Sequence, residues 1–163
     1  MASIFDHMRE EHVRLERALD RLREPEDDPH RALYRLMADY TAYSRAVEHV
    51  LYSHMIHIES VQPRALQGLA EHQQLDSLLR RAEGVPAGDS RWDALVKVLC
   101  EALNRHLRDE ERDLCAQARE ALSEREASAL GASFVAERAR VRRYFSSLSE
   151  GDTKAPRQPA TRG

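Results

Sequence analysis

With 163 residues, 33% of them charged and only 6% aromatic, the chain is sized for one domain around one core. The 6 Gly and 6 Pro leave little material for strands and turns, so the composition suits long amphipathic helices. A net charge of −3, with both signs mixed along every segment, argues against a nucleic-acid surface, and no apolar run is long enough to span a bilayer. No leader-like segment opens the chain, and the expectation is a soluble protein of the cytoplasm. Cys100 and Cys115 fall on one expected helix, roughly 22 Å apart at the helical rise, so they are expected as free thiols.

Ser3-Ile4-Phe5-Asp6 reads as a capping box with Asp in the Glu position, opening a helix to about Arg23. Its apolar line is Ile4, Phe5, Met8, Leu15, Leu19 and Leu22, with His12 on the line and His7 off it. Asp28-Pro29 reads as N-cap and first helical residue of a second helix, expected to reach about Glu59. Leu33, Leu36, Met37, Tyr40, Val47, Leu51 and Met55 form its stripe, which also carries Ser44 and Glu48. A carboxylate on a buried stripe needs a partner, because an isolated buried charge is very costly. On an ideal wheel His49 lies nearly opposite the stripe, while His54 is nearer to it and His57 flanks it.

Pro63 opens a third helix ending near Glu83, with Leu66, Leu69, His72, Leu75 and Leu79 as its expected stripe. After the loop at Gly84-Val85-Pro86-Ala87-Gly88-Asp89, a fourth helix runs from about Ser90 to Leu122. Leu95, Leu99, Ala102, Leu103, His106, Glu110 and Leu114 are expected to face inward. His106 and Glu110 are one turn apart on one face, and an imidazole and a carboxylate so placed can share a metal ion. A second capping box, Ser123-Glu124-Arg125-Glu126, opens a fifth helix with Phe134, Val135, Val141, Tyr144, Phe145 and Leu148. That helix either docks on its own bundle or offers a surface to a protein partner or a second copy of the chain. The remaining polar residues are expected as a disordered tail.

Glu11-His12-Val13-Arg14-Leu15 resembles Glu71-His72-Gln73-Gln74-Leu75, a weak repeat in which each half supplies one inward His. One inward His is ordinarily a hydrogen-bonded core residue. Three inward His and two inward Glu in one seam are hard to satisfy that way, and a metal satisfies them together.

These residues resemble the hemerythrin-like, or HHE cation-binding, domains, whose pattern is His, His-x-x-x-Glu, His, His-x-x-x-Glu over four antiparallel helices. His12, His72 and the pair His106 and Glu110 match the first, third and fourth positions. The segment Tyr43-Ser44-Arg45-Ala46-Val47-Glu48-His49-Val50-Leu51-Tyr52 is similar to the second motif, with Ser44 for the His and His49 for the second acid. A register through His54 would put Ile58 in the Glu position.

The resemblance implies an all-α, up-down-up-down four-helix bundle over 1–122, a C-terminal helix over 123–149 packed on it, and a tail over 150–163. It also implies two iron ions per chain, oxo- or hydroxo-bridged, with Glu48 and Glu110 bridging and His12, His72 and His106 terminal. Tyr40 and Tyr43 are candidates for the ligand position that Ser44 leaves open, and His49 and His54 for lesser roles if the helix unwinds locally. The implied chemistry is reaction with, or sensing of, dioxygen, hydrogen peroxide or nitric oxide, with a peroxidase-like, catalase-like or oxygen-activating activity left open. The alternatives are a metal-dependent sensory or binding module and a degenerate, metal-free scaffold.

Overall fold

Helix α1 (Ile4–Arg23) begins where Ser3 and Asp6 cap each other: the Ser3 hydroxyl accepts from the Asp6 amide at 3.3 Å, and the Asp6 carboxylate accepts from the Ser3 amide at 2.9 Å. The computed structural model of the chain describes residues 1–152, with side chains through 147. Helix α2 covers residues 29–55, as Pro29–Val47, a π-helical turn Glu48–Tyr52, and Ser53–Met55. Turns over 56–61 end it with the last stripe residue, Met55, before the expected Glu59. Helix α3 is Gln62–Glu83. Helix α4 covers residues 90–121, as Ser90–Asp109, a second π-helical turn Glu110–Leu114, and Cys115–Ala121. Helix α5, Glu124–Asp152, follows the Ser123 and Glu126 capping box and continues through 150–152. The rest of the expected tail lies outside the described residues.

Helices α1 to α4 form the four-helix bundle, α1 against α2 and α4, and α3 against α2 and α4. No strand occurs among the described residues. The stripes of α1, α2 and α4 close on one core that includes Leu15, Leu19, Leu33, Leu36, Leu51, Leu99, Leu103 and Leu114. The α3 stripe differs from the expected one. Leu66 is 53% exposed and Leu69 only partly buried, while Ala65 and Gly68 face the core ahead of His72. At Gly68 no side chain fits because the Tyr52 ring of α2 fills the space.

Helix α5 docks on α1 and α2 through Phe134 and Val141. Burying a side chain the size of Phe134 stabilises by about 1.5–3 kcal/mol. Gly131 lets α5 approach closely: a Cβ there would lie 2.9 Å from backbone atoms of Ala2, Ser3 and Ile4. An ionic cluster reinforces the contact. Glu11 of α1, fully buried, binds Arg138, and Arg142 binds Asp39 of α2 at 2.8 Å while lying 3.8 Å from Glu11. No helix among the described residues is long and apolar enough to cross a membrane.

Candidate metal centre

Both π-helical turns begin at the carboxylate of a candidate motif, one at Glu48 and the other at Glu110. A π turn inserts one residue into the α-helical ladder and rotates everything after it, so an ideal wheel misplaces the residues beyond. After Glu48 both Leu51 and Tyr52 are buried, and after Glu110 both Leu114 and Cys115 are.

Glu110 is fully buried at the middle of the bundle. Its Oε2 lies 3.1 Å from His12 Nε2, and its Oε1 lies 4.0 Å from His72 Nε2 and 3.8 Å from His106 Nε2. Donor atoms of His72, His106 and Glu110 all fall within 4.8 Å of one another. Two phenols complete the inner set. Tyr52 donates to Glu110 Oε1 at 2.5 Å, and Tyr43 donates to Oε2 while its oxygen lies 2.8 Å from His12 Nε2.

Each outer nitrogen has a carboxylate beside it, hydrogen-bonded in two cases and only near in the third. His72 Nδ1 lies 2.8 Å from Glu48, His106 Nδ1 2.6 Å from Glu71, and His12 Nδ1 3.6 Å from Glu111. Each carboxylate in turn faces an arginine: Glu48 with Arg45 at 2.9 Å, Glu71 with Arg64 at 3.9 Å, and Glu111 with Arg9 at 3.2 Å. Carboxylates on the outer nitrogen fix the tautomer of a metal-binding imidazole and raise its basicity. The arginines offset the three outer carboxylates, which leaves Glu110 as the inner anion.

That arrangement suits a cation. Donation from Nδ1 to Glu48 and to Glu71 leaves a lone pair on Nε2 of His72 and of His106, and these two nitrogens lie 3.0 Å apart. Two lone pairs at that distance repel unless a proton or a metal ion takes them up. Burial pushes the Glu110 carboxyl upward, but His106, His12 and His72 outweigh it and hold Glu110 well below the usual carboxylate range. Burial and the charge of Glu110 drive the Tyr43 and Tyr52 phenols far above their ordinary value, so both stay protonated donors.

The structure thus brings His12, His72, His106 and Glu110 together, with Tyr43 among them. Glu48, expected as a second bridging carboxylate, is placed instead on the outer nitrogen of His72, paired with Arg45. Ser44 is buried, but its hydroxyl donates to the Thr41 carbonyl of its own helix at 3.4 Å. Tyr40 stands edge-on to His72 with its hydroxyl buried and unpartnered. His49 pairs with Glu137 of α5 at 2.7 Å, its side chain 55% exposed, and half-buried His54 lies outside the cluster.

Sequence reasoning missed Tyr52, Glu71 and Glu111 as members of the site. Each acts across helices, so no local spacing announces it. The available signals were an acid beside a motif residue, at Glu71-His72 and Glu110-Glu111, and a glycine one turn before His72. A Cβ on Gly68 would lie 2.5 Å from the Tyr52 hydroxyl, so Tyr52 occupies the room that a second α3 side chain would need.

No curated protein and no solved structure matched the chain. The family model for the hemerythrin HHE cation binding domain matches residues 3–118, which takes in three bundle helices, most of α4 and every residue of the centre. With most of its length covered by that match, the chain belongs to the hemerythrin HHE cation-binding domain family.

Proposed function

We propose that the chain is a non-haem iron protein that reacts with or senses dioxygen, peroxide or nitric oxide. The observation that carries this reading is the facing pair of imidazole nitrogens of His72 and His106 at 3.0 Å beside Glu110. Imidazole and carboxylate donors suit iron, zinc or copper, and family membership favours iron. Iron, when bound, supplies redox chemistry and coordination positions that a small molecule can take.

The chain's own residues do the rest. His72, His106 and Glu110 hold the ion, His12 stands on the other oxygen of Glu110, and Glu48 and Glu71 fix the imidazoles of His72 and His106. Tyr43 and Tyr52 orient Glu110 and hold protons beside it. The placement of Glu48 supports one tightly held iron; the second iron of the expected pair requires Glu48 to leave His72 and Arg45. Ferrous loading followed by metal analysis and nitric oxide titration tests the reading. An iron-dependent nitric oxide spectrum is expected, and stoichiometric zinc from iron-replete cells would overturn it.

A sensory reading draws on Glu11. It directly precedes His12 and binds Arg138, so a shift of α1 on metal loading is carried to α5. Protection of α5 amides that changes with metal would favour it.

A further inference from the structure

Of the three carboxylates behind the imidazoles, two close their side of the centre. Glu48 sits 2.8 Å from His72 Nδ1, and Glu71 sits 2.6 Å from His106 Nδ1. The α3–α4 groove, about 410 Å³, is lined by both His106 and Glu71, and there the outer nitrogen of His106 is already taken by Glu71. The third side is different. Glu111 stands 3.6 Å from His12 Nδ1, which has no hydrogen-bond partner although His12 is only 2% exposed.

A cavity of about 160 Å³ between α1 and α4 is lined by His12 and by Glu111. Phe5, Met8, Cys115 and Ala116 give it apolar walls, and His12, Arg9, Glu111 and Arg119 give it polar ones, so its lining is mixed. Its rim carries Arg9 and Glu111, joined at 3.2 Å, both side chains about half exposed (58% and 48%). Arg119 caps Phe5 at 4.6 Å from the ring centroid. Past His12, its Nε2 touches Glu110 and Tyr43, so one imidazole separates the cavity from the inner donors.

We infer that this cavity is the entry port of the centre, gated by the Arg9–Glu111 ion pair and limited to molecules of a few heavy atoms. By volume alone, a space of about 150 Å³ takes one benzene-sized molecule. Dioxygen, hydrogen peroxide and nitric oxide pass this port, and an extended organic substrate does not. An exposed ion pair is worth roughly 0–1 kcal/mol, so it opens readily and sets a rate without closing the path. The inference rests on the reactive-centre reading above and narrows its substrate class.

The test uses the full chain carrying Cys100→Ser, with Arg9→Ala to open the rim and Ala116→Trp to plug it. Both positions are exposed, and the two changes act in opposite directions. In metal-free protein, methyl methanethiosulfonate modifies Cys115, with a pH–rate profile for each variant so that access is compared at equal thiolate fraction, because Arg9 also lowers the Cys115 pKa. Ala116→Trp is expected to slow this by about tenfold or more and Arg9→Ala to speed it several-fold, while a bulky maleimide stays slow throughout. Equal thiosulfonate rates in all three proteins overturn the port. In iron-loaded Ala116→Trp protein, whose substitution touches none of the donors or their partners, nitric oxide association and dissociation should slow by the same factor, leaving Kd unaltered. A changed Kd places the effect on the centre and overturns the gate. If no variant binds nitric oxide while the Cys115 pattern holds, the reactive-centre reading fails and the port stands.

Discussion

Replacing Gly68 by alanine tests whether the inner architecture is built as described. The new Cβ would lie 2.5 Å from the Tyr52 hydroxyl oxygen and 2.7 and 2.8 Å from two of its ring carbons. Tyr52 has nowhere to retreat, being fully buried, stacked on His72 at 5.3 Å between centroids and bonded to Glu110. Overpacking costs about 1–3 kcal/mol. A lost hydrogen bond to a buried carboxylate costs about 1.5–3 kcal/mol. Against these, alanine in place of glycine inside a helix contributes about 1 kcal/mol of stability. The net expectation is a loss of roughly 2–5 kcal/mol, a fall in Tm on the order of 10 °C. Urea and thermal unfolding followed by circular dichroism read it directly. In a double-mutant cycle with Tyr52→Leu, which vacates the ring position, Gly68→Ala should become nearly neutral or stabilising. Gly68→Ala alone as stable as the parent chain would refute the packing of Tyr52 against α3.

Glu48→Gln should weaken or abolish a second, weaker phase of ferrous binding while leaving the first ion in place. Anaerobic titration followed by metal analysis checks this, and complete loss of iron would make Glu48 a primary ligand. Arg138→Met removes the hydrogen-bond partner of buried Glu11 but leaves Arg14 and Arg142 at 3.7 and 3.8 Å, and should destabilise by roughly 1.5–3 kcal/mol in urea unfolding through the lost charged hydrogen bond. A change under 1 kcal/mol would show that Arg14 and Arg142 suffice. Burial, aided by the charge of Glu110, pushes the Cys115 thiol from an ordinary 9.0 up to about 12. Its folded pKa is raised, so its contribution to stability is full below pH 9 and is lost as the pH rises from 9 to about 12. Unfolding free energy measured across that window should fall for the parent chain more than for Cys115→Ala.

Much of the bundle was legible in the sequence because helical periodicity and end signals are local. Ser3 with Asp6, Asp28 with Pro29, and Ser123 with Glu126 mark helix starts, and the structure has helices starting at each. The inward direction of His12, His72, His106 and Glu110 follows from their spacing to neighbouring leucines within single helices. The α3 stripe was misread because Leu66 and Leu69 outweigh Ala65 and Gly68 in hydrophobicity, whereas the core there has room only for the small pair.

Only the tertiary structure decided what the second motif does. The π turn at Glu48 rotates the rest of α2, carrying Tyr52 onto Glu110, and no wheel with a fixed 3.6-residue period contains that rotation. The carboxylates behind the three imidazoles come from other helices, Glu48 to His72, Glu71 to His106 and Glu111 to His12. Which acid meets which imidazole depends on the relative height and rotation of packed helices, fixed by the whole core at once. Spacing within one helix carries the first kind of information and none of the second.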